Sequence, residues 1–345
     1  MYRLILFTIL FAACPFLIAF EYQLPALEIN TAILREDIPA RLIELKGICD
    51  YQNSSDQAIT RFYHRVTMPP SNSPYQILVG VEGDYLEKAT AEQHKNGIDQ
   101  FLSFCFSLPA KTTMQHQVCF KILLLPVDYM KAQPSVAKLQ LREEDKTFIQ
   151  PSQYIESDAN LIKNIAHSFK QQAEGNIVAQ TKLAYEFPAK HLKFKPQNPI
   201  GALAALKSKQ GDCTEFSALC IALCRAQGIP ARQTGVFHIR NNQETFQQPN
   251  HNSAEVFWGD IGWVPIDSNL GGGKYDSEYG FARTGNSVIL LKREGAWVWS
   301  NYLPQSGYDT TKPKPSLAPK MTWTTKILEE DSAQSPVKKH CGLKK

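Results

Sequence analysis

Three residues in the second half of the sequence could together make a reactive thiolate. Cys213 opens an apolar, helix-periodic run directly after Gly211 and Asp212. His251 lies in the run Asn250-His251-Asn252-Ser253-Ala254-Glu255, and Asp267 closes Trp263-Val264-Pro265-Ile266-Asp267. A free thiol ionises near about pH 8.5 and is a poor nucleophile at neutrality. The unpaired N–H groups and positive dipole end of a helix N-terminus favour the thiolate. A neighbouring imidazole does more, by forming a thiolate–imidazolium pair. Asp212 and Glu215 bring opposing negative charge, and are expected to turn aside and cap the helix start. A lone cysteine opening an apolar helix is more often a small buried residue. The downstream His and Asp lift Cys213 above that reading.

The 16-residue separation of His251 and Asp267 is even. If Gly259 centres a hairpin, the two face each other directly on one side of a sheet. Asp267 then accepts the Nδ1 proton of His251, fixes its tautomer and leaves Nε2 for the thiol. Glu255 shares that face and could substitute for Asp267, but reads as structural. His238, in Val236-Phe237-His238-Ile239, is the rival base; its half-buried run reads as a strand histidine satisfied locally.

These side chains need a helix and a sheet to hold them, and the patterning supplies both. Ile162, Ile165, Ala166 and Phe169 recur at helical spacing. A second helix is expected over Ile177–Tyr185, ended by Pro188, Pro196 and Pro199, and a short one over Ile200–Leu206. After Cys213, the residues Ser217, Leu219, Cys220, Ala222, Leu223 and Cys224 give a broad apolar stripe. Gly228-Ile229-Pro230 ends that helix. Strands are expected at Ala231–Arg240, His251–Trp258 and Trp263–Ser268. Upstream, short runs at Arg41–Asp50, Gln57–Thr67, Tyr75–Gly80, Phe101–Leu108 and Gln117–Leu125 are separated by turn-forming segments, the pattern of a β-sandwich. Residues 311–345, rich in Lys, Pro, Ser and Thr, read as a largely disordered tail.

Composition narrows the function classes. The 345 residues carry a net charge of +4, but eight Lys against three acids lie in 311–345. The remainder holds 29 basic and 30 acidic residues, which argues against a nucleic-acid face. Arg3 followed by the apolar run Leu4–Ile18 has the form of a cleaved export signal over residues 1–20, and is short for a membrane span. An uncleaved anchor and lipidation at Cys14 are the alternatives. Export implies an oxidising compartment. Of eight cysteines, seven remain after cleavage near Ala19, an odd number. Cys105 and Cys119, on neighbouring predicted strands, are the expected disulfide. Cys220 and Cys224 read as core packing, since a metal site there lacks a second ligand pair.

The segments around these residues resemble the transglutaminase-like superfamily, in particular its exported bacterial cysteine-protease type. The resemblance rests on Lys209–Leu219 around the cysteine, Gly228-Ile229-Pro230-Ala231-Arg232, His251 with Glu255, and Gly262–Asp267. It spans about 155–300. It implies an α+β fold with a papain-like core over 155–305, preceded by an all-β immunoglobulin-like sandwich over 21–145. It further implies a Cys213-His251-Asp267 triad and thioester chemistry at a peptide or isopeptide amide. Hydrolysis is the preferred outcome, because no calcium-site pattern is visible. Acyl transfer to an amine is the alternative, and an inactive binding module the alternative of another class. The backbone N–H of Cys213 should be one oxyanion donor; Gln197 or Asn198 is the expected second. Ser253 departs from the family, which often carries an aromatic residue two after the His. No cofactor or metal is expected. The partner is a protein or peptide, cell-envelope material included, with no nucleic acid and no membrane span once the signal is removed.

Overall fold

The computed structural model describes residues 31–71, 75–132, 141–269, 280–304 and 309–328. The expected signal segment and residues 329–345 lie outside the described residues. No helix among the described residues is long and apolar enough to cross a membrane.

The first half is built of strands β1 (Arg41–Asn53), β2 (Ile59–Thr67), β3 (Gln76–Gly83), β4 (Thr90–Gln93), β5 (Gln100–Leu108) and β6 (Thr113–Leu124). Helices α1 (Asn160–Gln172), α2 (Ile177–His191), α3 (Ala202–Ser208) and α4 (Cys213–Ala226) follow. Strands β7 (Ala231–His238), β8 (Gln243–Phe246), β9 (His251–Phe257), β10 (Trp263–Ile266), β11 (Val288–Arg293), β12 (Trp299–Tyr302) and β13 (Leu317–Ile327) complete the chain. The mixed helix-and-sheet architecture is the α+β class.

Helix α4 is the centre of the second half. Every residue from Glu215 to Arg225 is buried. A helix apolar on all sides must be enclosed on all sides. Helices α1, α2 and α3 cover it on one side, and the antiparallel sheet β10-β9-β7-β11 on the other. Leu219, Ile221 and Leu223 are fully buried in this core, each contributing about 1.5–3 kcal/mol. Gly228 ends the helix at φ 84°, as the sequence suggests. Helix α2 runs further than expected, through Pro188 to His191. Pro188 lies in the last turn, and its carbonyl still accepts the Leu192 N–H.

Two further antiparallel sheets, β8-β13-β1-β6-β3 and β12-β2-β5-β4, bury one apolar cluster. Ile43, Leu45 and Tyr51 of β1 meet Phe62, Leu102, Phe104, Phe120 and Ile122 there. Face-to-face sheets with alternating inward residues pack in this way. The sheet that borders α4 contributes to both cores: Val236 and Leu290 join the helical cluster, while Phe237, Ile239, Ile289 and Leu291 join the other. Alternation along a strand sends neighbours to opposite faces.

Three expectations are corrected. Within the expected disordered tail, residues 317–327 form a strand, because β13 pairs with β1 over Leu317–Asn53 to Ile327–Ile43. Met321, Trp323 and Thr325 are its buried face, hidden in the sequence among Lys, Thr and Pro. The boundary near residue 150 does not separate the sheets, since β8, β12 and β13 all return to the β-rich half. Cys105 and Cys119 are free thiols. Strands β5 and β6 are consecutive but belong to different sheets, with Cys105 exposed and Cys119 buried.

Candidate active site

Cys213 is the first residue of α4, and its neighbours fix that helix start. The Asp212 carboxylate accepts the Thr214 N–H at 2.8 Å, and Glu215 accepts the Asp212 N–H at 3.1 Å, a reciprocal capping box. The other Glu215 oxygen accepts the Ile200 N–H at 3.0 Å. Both acids therefore serve the backbone, as their position suggests. Gly211 is required by this arrangement: a Cβ there would stand 2.4 Å from the Glu215 Cβ.

The helix start is tied to the beginning of β9. Asn252 Nδ2 donates to Thr214 Oγ1 at 3.0 Å, and Ser217 Oγ reaches the Asn252 carbonyl at 3.1 Å. His251, one residue earlier, is thereby held near Cys213, close enough for the thiol to raise the pKa of its imidazole. On the other side of the ring, Nε2 contacts Asp267 Oδ2 at 2.6 Å. Asn269 N–H donates to the remaining Asp267 oxygen at 3.1 Å, and Asp267 N–H donates to the Gly280 carbonyl. Burial disfavours charge on His251, but Asp267 and Cys213 together overcome it and raise its pKa to about 10. These two partners favour the charged imidazole.

The sequence-based geometry needs two corrections. Nitrogen Nε2 faces Asp267, so Nδ1 is left for the thiol, the reverse of the expected assignment. The β9–β10 register pairs Ala254 with Ile266 and Phe257 with Trp263, centring the hairpin on Asp260 rather than Gly259. A three-residue turn, Gly259–Ile261, makes the connection. The resulting two-residue offset keeps His251 and Asp267 on one face, because strand faces repeat every two residues.

That face continues away from the pair. Cross-strand partners on β7 and β9 are Val236 with His251, Thr234 with Ser253, and Arg232 with Glu255. Ser253 Oγ bonds Thr234 Oγ1 at 2.8 Å, so it serves sheet pairing. Glu255 is fully enclosed: Arg232 Nη2 lies 2.7 Å away, the Tyr75 hydroxyl donates at 2.8 Å, and Arg293 stands at 3.5 Å. Burial would raise its pKa, but Arg232 and Arg293 outweigh that and hold it below the usual value. It is a structural carboxylate, unavailable to His251.

His238 is more than the locally satisfied strand histidine its sequence context suggests. Two residues beyond Val236, it lies diagonally across from His251, with ring centroids 4.5 Å apart. Burial holds its pKa down, with His251 adding to the effect, to about 4. Ligating atoms of His238, His251 and Asp267 all lie within 4.8 Å of one another. Spacing along the chain could not disclose this grouping, since the three come from different strands. A cavity of about 390 Å³ opens beside them, lined also by Val236, Ser253 and Pro265.

Gln197 stands near the helix start, its N–H 3.4 Å from Asp212 Oδ2. Its side-chain Nε2 is buried and has no hydrogen-bond partner among the described residues. Asn198 is exposed. Cys220 and Cys224 are both buried inside α4. Thr214, Ser217 and Asn252, which join helix to strand, were missed by sequence reasoning; their hydroxyl and amide groups flanking Cys213 and His251 were the available signal.

Residues 163–268 match the family model of the transglutaminase-like superfamily. No curated protein matches the chain. Among solved structures, a candidate cysteine protease from Cytophaga hutchinsonii is similar with a TM-score of 0.56 and 16% identity, over 85% of this chain and 92% of that one. The periplasmic domain of TgpA from Pseudomonas aeruginosa, bound to ethylmercury, gives a TM-score of 0.30 at 12% identity, over 64% of this chain and 89% of that one. A candidate protease from Parabacteroides distasonis gives 0.26 at 16%, over 66% and 43%.

Proposed function

We propose that this chain, transglutaminase-like in its residues 163–268, is an exported thiol hydrolase that cleaves peptide or isopeptide amides through Cys213, His251 and Asp267. The observation that supports this best is a single imidazole bonded to a buried carboxylate at 2.6 Å beside a helix-initial cysteine, which raises the pKa of that imidazole. The Cytophaga protein's description as a candidate cysteine protease agrees with it. Arg3 and the apolar run Leu4–Ile18 support export.

In this reading the charged His251 faces a Cys213 thiolate. Sulfur attacks the amide carbonyl carbon, and the carbonyl π electrons move to oxygen. The Cys213 N–H and the unpartnered Gln197 amide are the proposed donors to that oxyanion. The tetrahedral intermediate collapses, the C–N bond breaks, and His251 gives its proton to the departing amine. A thioester remains. Water then attacks it, losing its proton to His251, and the C–S bond breaks to release a carboxylic acid. Asp267 orients the ring and stabilises its charge throughout.

The deciding experiment digests a peptide library with the mature protein under reducing conditions, beside Cys213→Ala. Cleavage lost in the variant supports hydrolysis. Incorporation of an added primary amine in place of water moves the assignment to acyl transfer. No product in either case, with Cys213 alkylated no faster than an ordinary thiol, leaves a binding module. Gln197→Ala should lower the rate by roughly 10²–10³ without slowing alkylation of Cys213.

A further inference from the structure

We propose that His238, His251 and Asp267 form a binding site for a divalent transition metal, Zn²⁺ in the first instance, and that the metal switches the thiol centre off. The binding half of this inference stands on geometry alone; the inhibitory half rests on the hydrolase reading.

The donor set is two imidazoles and one carboxylate, the nitrogen and oxygen ligands that Zn²⁺ accepts at about 2.0–2.2 Å. Ligand atoms around a tetrahedral zinc at those lengths stand roughly 3.4 Å apart. Here all three ligating atoms fall within 4.8 Å, with His251 Nε2 and Asp267 Oδ2 already at 2.6 Å. Opening that pair and drawing in His238 needs shifts on the order of an ångström. Three protein ligands leave the fourth position to water.

The frame around these ligands is already fixed. Asn250 grips the His238 backbone twice, accepting its N–H at 2.8 Å and donating to its carbonyl at 3.2 Å. Asn269 N–H holds the second Asp267 oxygen, leaving Oδ2 to the metal. Outer bonds of this kind orient ligands and sharpen affinity. The cavity beside the three side chains gives an ion a way in.

The chemical consequence follows from which nitrogen is taken. A metal at Nε2 replaces the proton shared with Asp267 and removes the orienting carboxylate. The ring proton is then confined to Nδ1, facing Cys213. An imidazole in that state cannot accept a proton from water or thiol. The metal therefore acts as an inhibitor of the centre, with no part in the reaction. The competing arrangement is a zinc held between the Cys213 sulfur and Nδ1, on the opposite side of the ring.

The test uses the mature protein with Co²⁺ and Zn²⁺ as probes. Titration calorimetry should give one equivalent bound, and Co²⁺ should show visible ligand-field bands without a thiolate-to-cobalt charge-transfer band. Cys213→Ser should bind with unchanged affinity. His238→Phe keeps the ring contact and removes the ligand, and should weaken Zn²⁺ binding at least about tenfold; His238→Gln serves as a second variant should Phe disturb folding, judged by circular dichroism. Zn²⁺ should inhibit cleavage, scored against each variant's own metal-free rate, and a chelator should restore it. Absence of binding, an unchanged affinity in both His238 variants, or loss of binding in Cys213→Ser with a charge-transfer band in the native protein would overturn the site. Zn²⁺ bound as described by a protein that cleaves nothing even when metal-free would retain the site and sink the hydrolase reading instead.

Discussion

Asp267 reaches His251 from an off-register position. Continued one step past Ala254–Ile266, the strand register would set Asp267 opposite Ser253, two residues from His251. The carboxylate nevertheless closes on Nε2 at 2.6 Å. Diagonal neighbours on one face of a sheet are within reach of such side chains. Asp267→Asn should keep the hydrogen-bond geometry and remove the charge. The His251 titration, followed by NMR, should then move down from about 10 toward the ordinary imidazole value. Cleavage should fall on the order of 10²–10⁴-fold. An unmoved His251 titration would show that Asp267 is not its partner in solution.

Stability should depend on pH through the same ring. Folding raises the His251 pKa from an ordinary value near 6.5 to about 10, so the folded state binds the proton more tightly. That contribution is fully present below about pH 6.5 and is lost as the pH climbs to about 10. Urea unfolding of the native protein and of His251→Gln, compared across that window, should show the difference between them shrinking with rising pH. A difference that grows instead would contradict the charged imidazole.

Gly211→Ala should loosen the helix start. The added methyl would meet the Glu215 Cβ at 2.4 Å and push its carboxylate from the Asp212 and Ile200 N–H groups. Losing these two part-buried hydrogen bonds costs on the order of 1 kcal/mol each. Denaturant midpoints measure the loss, and hydrogen exchange at Ile200 and Asp212 should quicken. Unchanged exchange at both amides would mean the cap had survived.

Removing Glu255 should harm folding more than chemistry. Glu255→Ala leaves the Arg232 guanidinium buried without its carboxylate, while Arg293 keeps Asp99, a loss of about 3–5 kcal/mol. In the fraction that remains folded, Cys213 alkylation should proceed at the native rate, because Glu255 touches neither Cys213 nor His251. A slowed thiol in the folded fraction would give Glu255 a part in the site.

Much of the site was legible because its signals are local. Cys213 follows a Gly-Asp turn, and helix N-termini have recognisable caps. His251 and Asp267 share a face because their separation is even, and this survives the two-residue slip in register. The nitrogen assignment was not legible, since it depends on a side-chain rotation that no spacing encodes. Glu255 reads as structural from the sequence, but its partners were not legible there, since Tyr75, whose hydroxyl donates to it, lies 180 residues away. Strand β13 was missed for a compositional reason: Met321 and Trp323 alternate correctly, but Lys, Pro and Thr surround them. The His238 grouping required knowing that β7 and β9 are neighbours.

The pairing of β1 with β13 also bears on how the chain is made. Residues 41–53 leave the ribosome long before their partner, residues 317–327. Until then one edge of β1 has exposed backbone groups, an invitation to other chains. The sheet begun by β1 thus waits for residue 317 and beyond, and a chain stopped short of residue 317 ends with that edge open. Closing so long a loop is intrinsically slow.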